Sequence, residues 1–219
     1  MDQKKPTLLV TMGDPCGIGP EILALSAACT QSASNSNRIF IGNTDILKAA
    51  IALRDLQVNV HPIRSVEQAI FTEGTVNLLD PGNLNATALE AGVLSKSAGK
   101  ASVEWIELGA NLLLKNKAQA IVTGPINKKA VQMAGITRIG HMEILQQITK
   151  VKDVATMLIS GTLFVVHLST HVALRDAHRA VNFQNILSKI TLTNQFFFRY
   201  FNKAPSIGVA AFNPHNGDG

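Results

Sequence analysis

The sequence predicts an α/β fold, and three observations carry that prediction. Short β-branched runs alternate along the chain with longer amphipathic stretches, a pattern that favours α/β over all-α or all-β architectures. The 219 residues, 46% of them hydrophobic, suffice to bury a substantial core as one domain or two small ones. Polar and glycine-rich segments fall just after the expected strands, where open α/β folds build their sites.

Thr7 to Met12 reads as a buried strand closed by Gly13-Asp14-Pro15. Pro20-Glu21 then opens a helix through Ile22, Leu23, Leu25 and Ala28, because proline suits the first turn and glutamate complements the helix dipole. Arg38 to Gly42 is a second strand, and Thr44-Asp45 caps a helix reaching about Leu53. Asn59 to Ile63 and Thr75 to Leu79 are weaker strands. The clearest helix spans Ser97 to Lys115, with Ala98, Ala101, Ile106, Ala110 and Leu113 recurring mostly at helical spacing. Gln119 to Thr123 is a strand, and Asn127 to Ala134 a helix stopped by Gly135. Thr156 to Ile159 and Leu163 to Leu168 form two strands hinged at Ser160-Gly161. A helix follows from Asn182 to about Tyr200, and Ser206 to Phe212 is expected as a last strand. The cluster Phe196, Phe197, Phe198, Tyr200 and Phe201 cannot all point inward, so part of it is expected to meet a partner subunit. A chain stopping at Gly219, directly after a strand, suggests truncation.

Composition removes several function classes. Lys and Arg are scattered rather than packed into a tract, so the net charge of +5 implies no nucleic-acid or polybasic membrane surface. It suits a phosphorylated substrate and a dinucleotide, and solubility equally well. Two cysteines, Cys16 and Cys29, make no C-x-x-C pair, which fits a reducing cytoplasm and not a disulfide framework. The apolar run near the N-terminus, Leu8 to Val10, is too short for a signal peptide. The longest apolar stretch, Met157 to Leu168, is too short to span a bilayer.

Four loops concentrate chemistry. Met12 to Glu21 holds Gly13, Gly17 and Gly19, which suit either close approach of a ligand or a tight strand-to-helix turn. Ala24, Leu25 and Ser26 stand where a Rossmann fingerprint wants glycine, so that motif matches poorly. In Thr123 to Lys129, a lysine opening a helix opposes the dipole, so Lys128 or Lys129 either faces an acid or is simply solvated. In Gly140-His141-Met142-Glu143, the histidine is suited to proton transfer or to donating to a substrate oxygen, or is structural. Last, His171 and His215 lie at separate strand ends, with His167 as another candidate. Two imidazoles suit Zn²⁺ or another borderline ion but need a third ligand. Asp176 either orients a ligand or joins an arginine salt bridge.

Taken together, MGDPCGIGPEI (12–22), TGPINKKAVQMAGI (123–136), GHMEIL (140–145), THVALRD (170–176) and NPHNGDG (213–219) resemble the 4-hydroxythreonine-4-phosphate dehydrogenase family of pyridoxal phosphate biosynthesis. The resemblance runs from Leu9 to Gly219. It implies two α/β/α lobes of the isocitrate/isopropylmalate dehydrogenase type, residues 1–128 and 129–219, with the second incomplete. The cleft would be completed by a second subunit of a homodimer. The resemblance makes His171 and His215 metal ligands and places His141 and Met142 at substrate, leaving catalytic and cofactor-binding residues unassigned. The third metal histidine and the basic substrate residues would lie beyond Gly219, so the chain as given is expected to be inactive. Implied cofactors are NAD, or NADP, and a divalent metal, zinc first, with magnesium or cobalt as alternatives. The implied reaction oxidises the 3-hydroxyl of 4-phosphooxy-L-threonine, and the keto product decarboxylates.

Met142 stands where many members of the family carry threonine. Losing that hydroxyl opens the substrate to relatives' alternatives, a 4-phospho-sugar acid such as threonate or erythronate, or a cis-dihydrodiol. A truncated, non-catalytic chain is the alternative of another class.

Overall fold

The computed structural model describes residues 5–29, 35–138, 140–170 and 172–217. They form two compact units, Met1–Lys150 and Val151–Gly219. The lobe boundary expected at residue 128 falls inside the first unit, because the segments after it pack on a helix before it.

In the first unit five strands make one parallel sheet. They are β1 (Thr7–Thr11), β2 (Asn37–Ile41), β3 (Asn59–Ile63), β4 (Thr75–Leu79) and β5 (Ala120–Thr123), in the order β3-β4-β2-β1-β5. Leu9 on β1 stands in register with Ile39 of β2 and Ile121 of β5. Burial along β1, β2 and β4 is continuous rather than alternating, as a sheet covered on both faces requires, and in β4 it takes in the polar Asn77.

Helix α1 (Gly19–Ala28) begins with proline in its first turn, as its sequence predicts. Helices α2 (Thr44–Leu53), α3 (Lys96–Leu114) and α4 (Lys128–Met133) are capped by the side chains of Asn43, Ser95 and Asn127, which accept from backbone N–H groups of the first turn. A further helix, α5 (His141–Thr149), was not expected. It starts at Gly140 without a side-chain cap and ends at Lys150 in the left-handed region, φ 55°.

Topology locates the site. The connection β1–α1–β2 steps one way across the sheet, whereas β4–α3–β5 passes back over β1 to its other side. Right-handed crossovers then put α1 and α3 on opposite faces. Winding therefore reverses between β1 and β5, which makes their C-terminal ends the topological switch point of the sheet, the place where open α/β folds bind ligands.

Leu9, Ile39, Leu47, Leu78 and Trp105 anchor the main core. Trp105 is fully buried, and its indole N–H donates to Asn83 Oδ1 at 3.1 Å, which satisfies the one polar atom the ring carries. A smaller cluster, Val103, Ile106, Val131 and Ile144, binds α4 and α5 onto α3. Gly99 permits that contact, since a Cβ there would run into the Ala130 backbone.

In the second unit, β6 (Met157–Ser160) and β7 (Leu163–Val166) form an antiparallel hairpin, as the sequence suggests. After a short α6 (Leu174–Ala177), α7 (Phe183–Phe201) runs from an Asn182 cap to Asn202 in the left-handed region. Phe164 of β7 meets Phe197 edge-on, with ring centroids 4.8 Å apart. Phe197 is buried, while Phe198, Tyr200 and Phe201 are exposed, so the aromatic cluster does divide. The strand expected over 206–212 does not form among the described residues. Strand identity needs a ladder partner, and this segment instead borders an open groove beside β7 and α7.

Candidate active site

The loops after β1 and β5 are bound tightly to each other. Asp14 N–H donates to the Pro125 carbonyl at 2.8 Å, and Gly124 N–H to the Thr11 carbonyl at 2.9 Å. Gly13 has φ +77°, and a Cβ there would strike the backbone of Gly124 and Pro125. Asp14 is buried, and its carboxylate accepts from Cys16 N–H at 3.0 Å, folding the turn back on itself. Gly19 lies against the Met12 carbonyl in the same way. Packing therefore uses the glycines of this loop at Gly13 and Gly19, which supports the tight-turn reading over a ligand cradle.

His141 reaches these loops from the first position of α5. Its Nε2 lies 3.3 Å from the Gly124 carbonyl. A carbonyl only accepts, so this bond needs the proton on Nε2, and the neutral ring then offers its Nδ1 lone pair as a base or acceptor. Burial pushes the imidazole below its ordinary value of 6.5, and nearby Lys128 adds to that. The Gly124 carbonyl and Glu143 oppose the shift without reversing it. Lys128 and Lys129 are themselves exposed. Met142 follows His141, half-buried.

Sequence reasoning reached His141 but missed its partner carbonyl and the helix that carries it. The signal was present: Gly140 with glutamate three residues on, then Ile144, Leu145 and Ile148 at helical spacing. It also missed the ion pair between Arg138 and Glu107.

The proposed metal ligands belong to the second unit. His171 lies outside the described residues. His215 is exposed in a short 3-10 turn, Pro214–Gly217, at φ 54°. His167 borders a groove of about 930 Å³ together with Asn213. Among the described residues no group of three or more His, Cys, Asp or Glu side chains stands close enough to hold a metal ion. Asp176 pairs with Arg175 at 3.6 Å and Arg179 at 3.4 Å, the plain surface salt bridge of the two alternatives.

No helix among the described residues is long and apolar enough to cross a membrane. The family model of "Pyridoxal phosphate biosynthetic protein PdxA" matches residues 34–219. A curated relative from Clostridium botulinum (strain Hall), named "Putative D-threonate 4-phosphate dehydrogenase", is 32% identical over 218 residues. That alignment takes in 100% of this chain and 65% of the relative, so the chain spans about two-thirds of such relatives' length. Among solved structures, a 4-hydroxythreonine-4-phosphate dehydrogenase from Klebsiella pneumoniae superposes with a TM-score of 0.90 at 31% identity, covering 100% of this chain and 66% of that one. Another from Burkholderia phymatum gives 0.87 at 30%, covering 99% and 65%. The α/β architecture expected from the sequence is thus the one these structures share, and the chain belongs to the PdxA family.

Proposed function

We propose that this chain is part of a metal- and NAD-dependent dehydrogenase that oxidises the 3-hydroxyl of 4-phosphooxy-L-threonine in pyridoxal phosphate biosynthesis. The observation that carries the reading is the His141 imidazole, half-buried at the β1–β5 switch point with Nε2 on the Gly124 carbonyl, which leaves Nδ1 available. His141 and Met142 contact the substrate in this reading. The carbon bearing the 3-hydroxyl loses its hydrogen as hydride to the nicotinamide of NAD, or NADP, and the hydroxyl loses its proton to solvent or a base, giving a ketone that sheds CO₂ as a β-keto acid. His171, His215 and a third ligand beyond Gly219 hold the divalent ion, with zinc preferred to magnesium or cobalt. Bound there, the ion supplies Lewis-acid polarisation of the substrate oxygen. The described residues do not assemble that centre, so no step is derived through it.

In the whole protein the reading puts the lobe boundary at residue 128, forms the active site in a homodimer and places the enzyme in the cytoplasm. A second reading, oxidation of D-threonate 4-phosphate, is favoured by the name of the C. botulinum relative and by Met142 in place of threonine. Both substrates are 4-phosphorylated four-carbon hydroxy acids. Calorimetric titration of the full-length protein, with NAD and a divalent ion present, with each compound and its dephosphorylated form tests the proposal. Binding of 4-phosphooxy-L-threonine, weakened in His141→Ala, supports the first reading. Preference for D-threonate 4-phosphate supports the second, and binding of neither phosphorylated acid contradicts both.

A further inference from the structure

His141 sits at the start of a helix that has no side-chain cap, so something else must fix where that helix begins. The segment entering it carries Arg138, whose guanidinium Nη2 lies 3.3 Å from Glu107 Oε1 on α3. Both side chains are about a third exposed, at 30% and 34%. Below that pair, Ile144 of α5 packs into the small cluster with Val103 and Ile106 of α3, and Ala130 of α4 presses on Gly99. Helix α3 thus contacts the His141 segment at two heights, an apolar one inside α5 and a charged one before it.

An apolar contact of this kind fixes depth but not rotation, because dispersion is non-directional. A charged pair at the entry to the helix fixes where its first turn points. As a half-exposed ion pair it contributes only about 0–1 kcal/mol to stability, so its consequence is geometric. We propose that the Glu107–Arg138 ion pair is a positioning device that holds the His141 imidazole against the Gly124 carbonyl in the loop after β5. Arg138 and Glu107 are positioning residues and touch no substrate. The inference rests on the reading that gives His141 its place at the site, but its test needs no substrate.

The His141 ring is titrated by NMR in the whole chain, its signal assigned by its loss in His141→Gln. The charged groups facing it are Glu143 on its own helix and Lys128 on α4, and neither is altered. Charge alone and position alone give opposite patterns. If the pair acted only through space, Arg138→Gln would raise the His141 pKa and Glu107→Gln would lower it. If the pair positions the ring, either substitution frees it into solvent, so both raise its pKa toward 6.5. The exchanged pair, Glu107→Arg with Arg138→Glu, should restore the depressed value, and Arg138→Lys should restore most of it. Shifts of opposite sign in the single variants, or no shift in either, would overturn the proposal. Should a single variant fail to fold, Arg138→Lys and the exchanged pair still decide. Wild-type titration in both supports positioning, whereas a freed ring in the folded exchanged pair contradicts it.

Discussion

The two units differ in how they hold themselves together. Among the described residues, nearly all of the buried hydrophobic side chains belong to the first unit, and the second contributes Phe197 alone. The second unit instead exposes large apolar groups on its hairpin, such as Leu158, Ile159 and Leu163, and on α7, such as Phe183 and Tyr200. Ordering a residue costs about 1–2 kcal/mol in backbone entropy, which only buried area offsets at this scale. The first unit offsets that cost with a continuous core through a five-stranded sheet. The second relies on a two-stranded hairpin, one long helix and aromatic edge contacts. The larger core and the His141–Gly124 contact reside together in the first unit, while the histidines expected to bind metal belong to the second.

The largest effect should come from the centre of the stronger unit. Trp105→Ala should cost about 3–5 kcal/mol in the main unfolding transition, since it empties a fully buried core position. Phe197→Ala, although also aromatic and buried, should leave that transition in place. Chemical denaturation of the two variants checks this, and an equal loss in both would break the contrast.

Gly99→Val should follow, at about 1–3 kcal/mol, because the new side chain drives α4 off α3. Its thermal melt, compared with that of Gly74→Ala at a glycine with open space but φ +72°, separates steric from backbone strain.

A smaller effect should appear with pH. The folded state holds His141 below 6.5, so the unfolded chain binds the proton more readily. Stability is then full above about 6.5 and falls as the pH drops from there toward the folded value. His141→Gln should flatten that part of the profile, measured by denaturant midpoints across the range. An unchanged slope would show that the imidazole is not held neutral by the fold.

The smallest belongs to the second unit. Asp176→Ala, which removes contacts to Arg175 and Arg179 on an exposed surface, should change stability by less than about 0.5 kcal/mol.

Local signals made most of the first unit legible. Pro20, Gly135 and the stripe from Ala98 to Leu113 mark helix positions through rules that act within a few residues, whereas the cap expected at Thr44-Asp45 falls one residue earlier, on Asn43. His141 was legible as a candidate because a histidine after glycine and beside glutamate is chemically conspicuous. Its partner, the Gly124 carbonyl, was not, since a backbone oxygen carries no mark in the sequence and the contact spans 17 positions. Arg138 and Glu107 look like two ordinary surface charges until α3 and the segment before α5 are folded against each other. Residues 206–212 mislead for the opposite reason. Their alternating, β-branched composition is that of a strand, but a strand exists only with a partner, and composition cannot supply one.

The central claim, that substrate binds the first unit at the β1–β5 switch point, is tested most directly by amide chemical-shift mapping. The full-length protein would be labelled with nitrogen-15 and titrated with 4-phosphooxy-L-threonine. The largest shifts should fall on Asp14–Gly17, Gly124–Lys128 and His141–Glu143, and His141→Ala should weaken them. Shifts confined to the second unit, around His167 and Asn213, would contradict the claim.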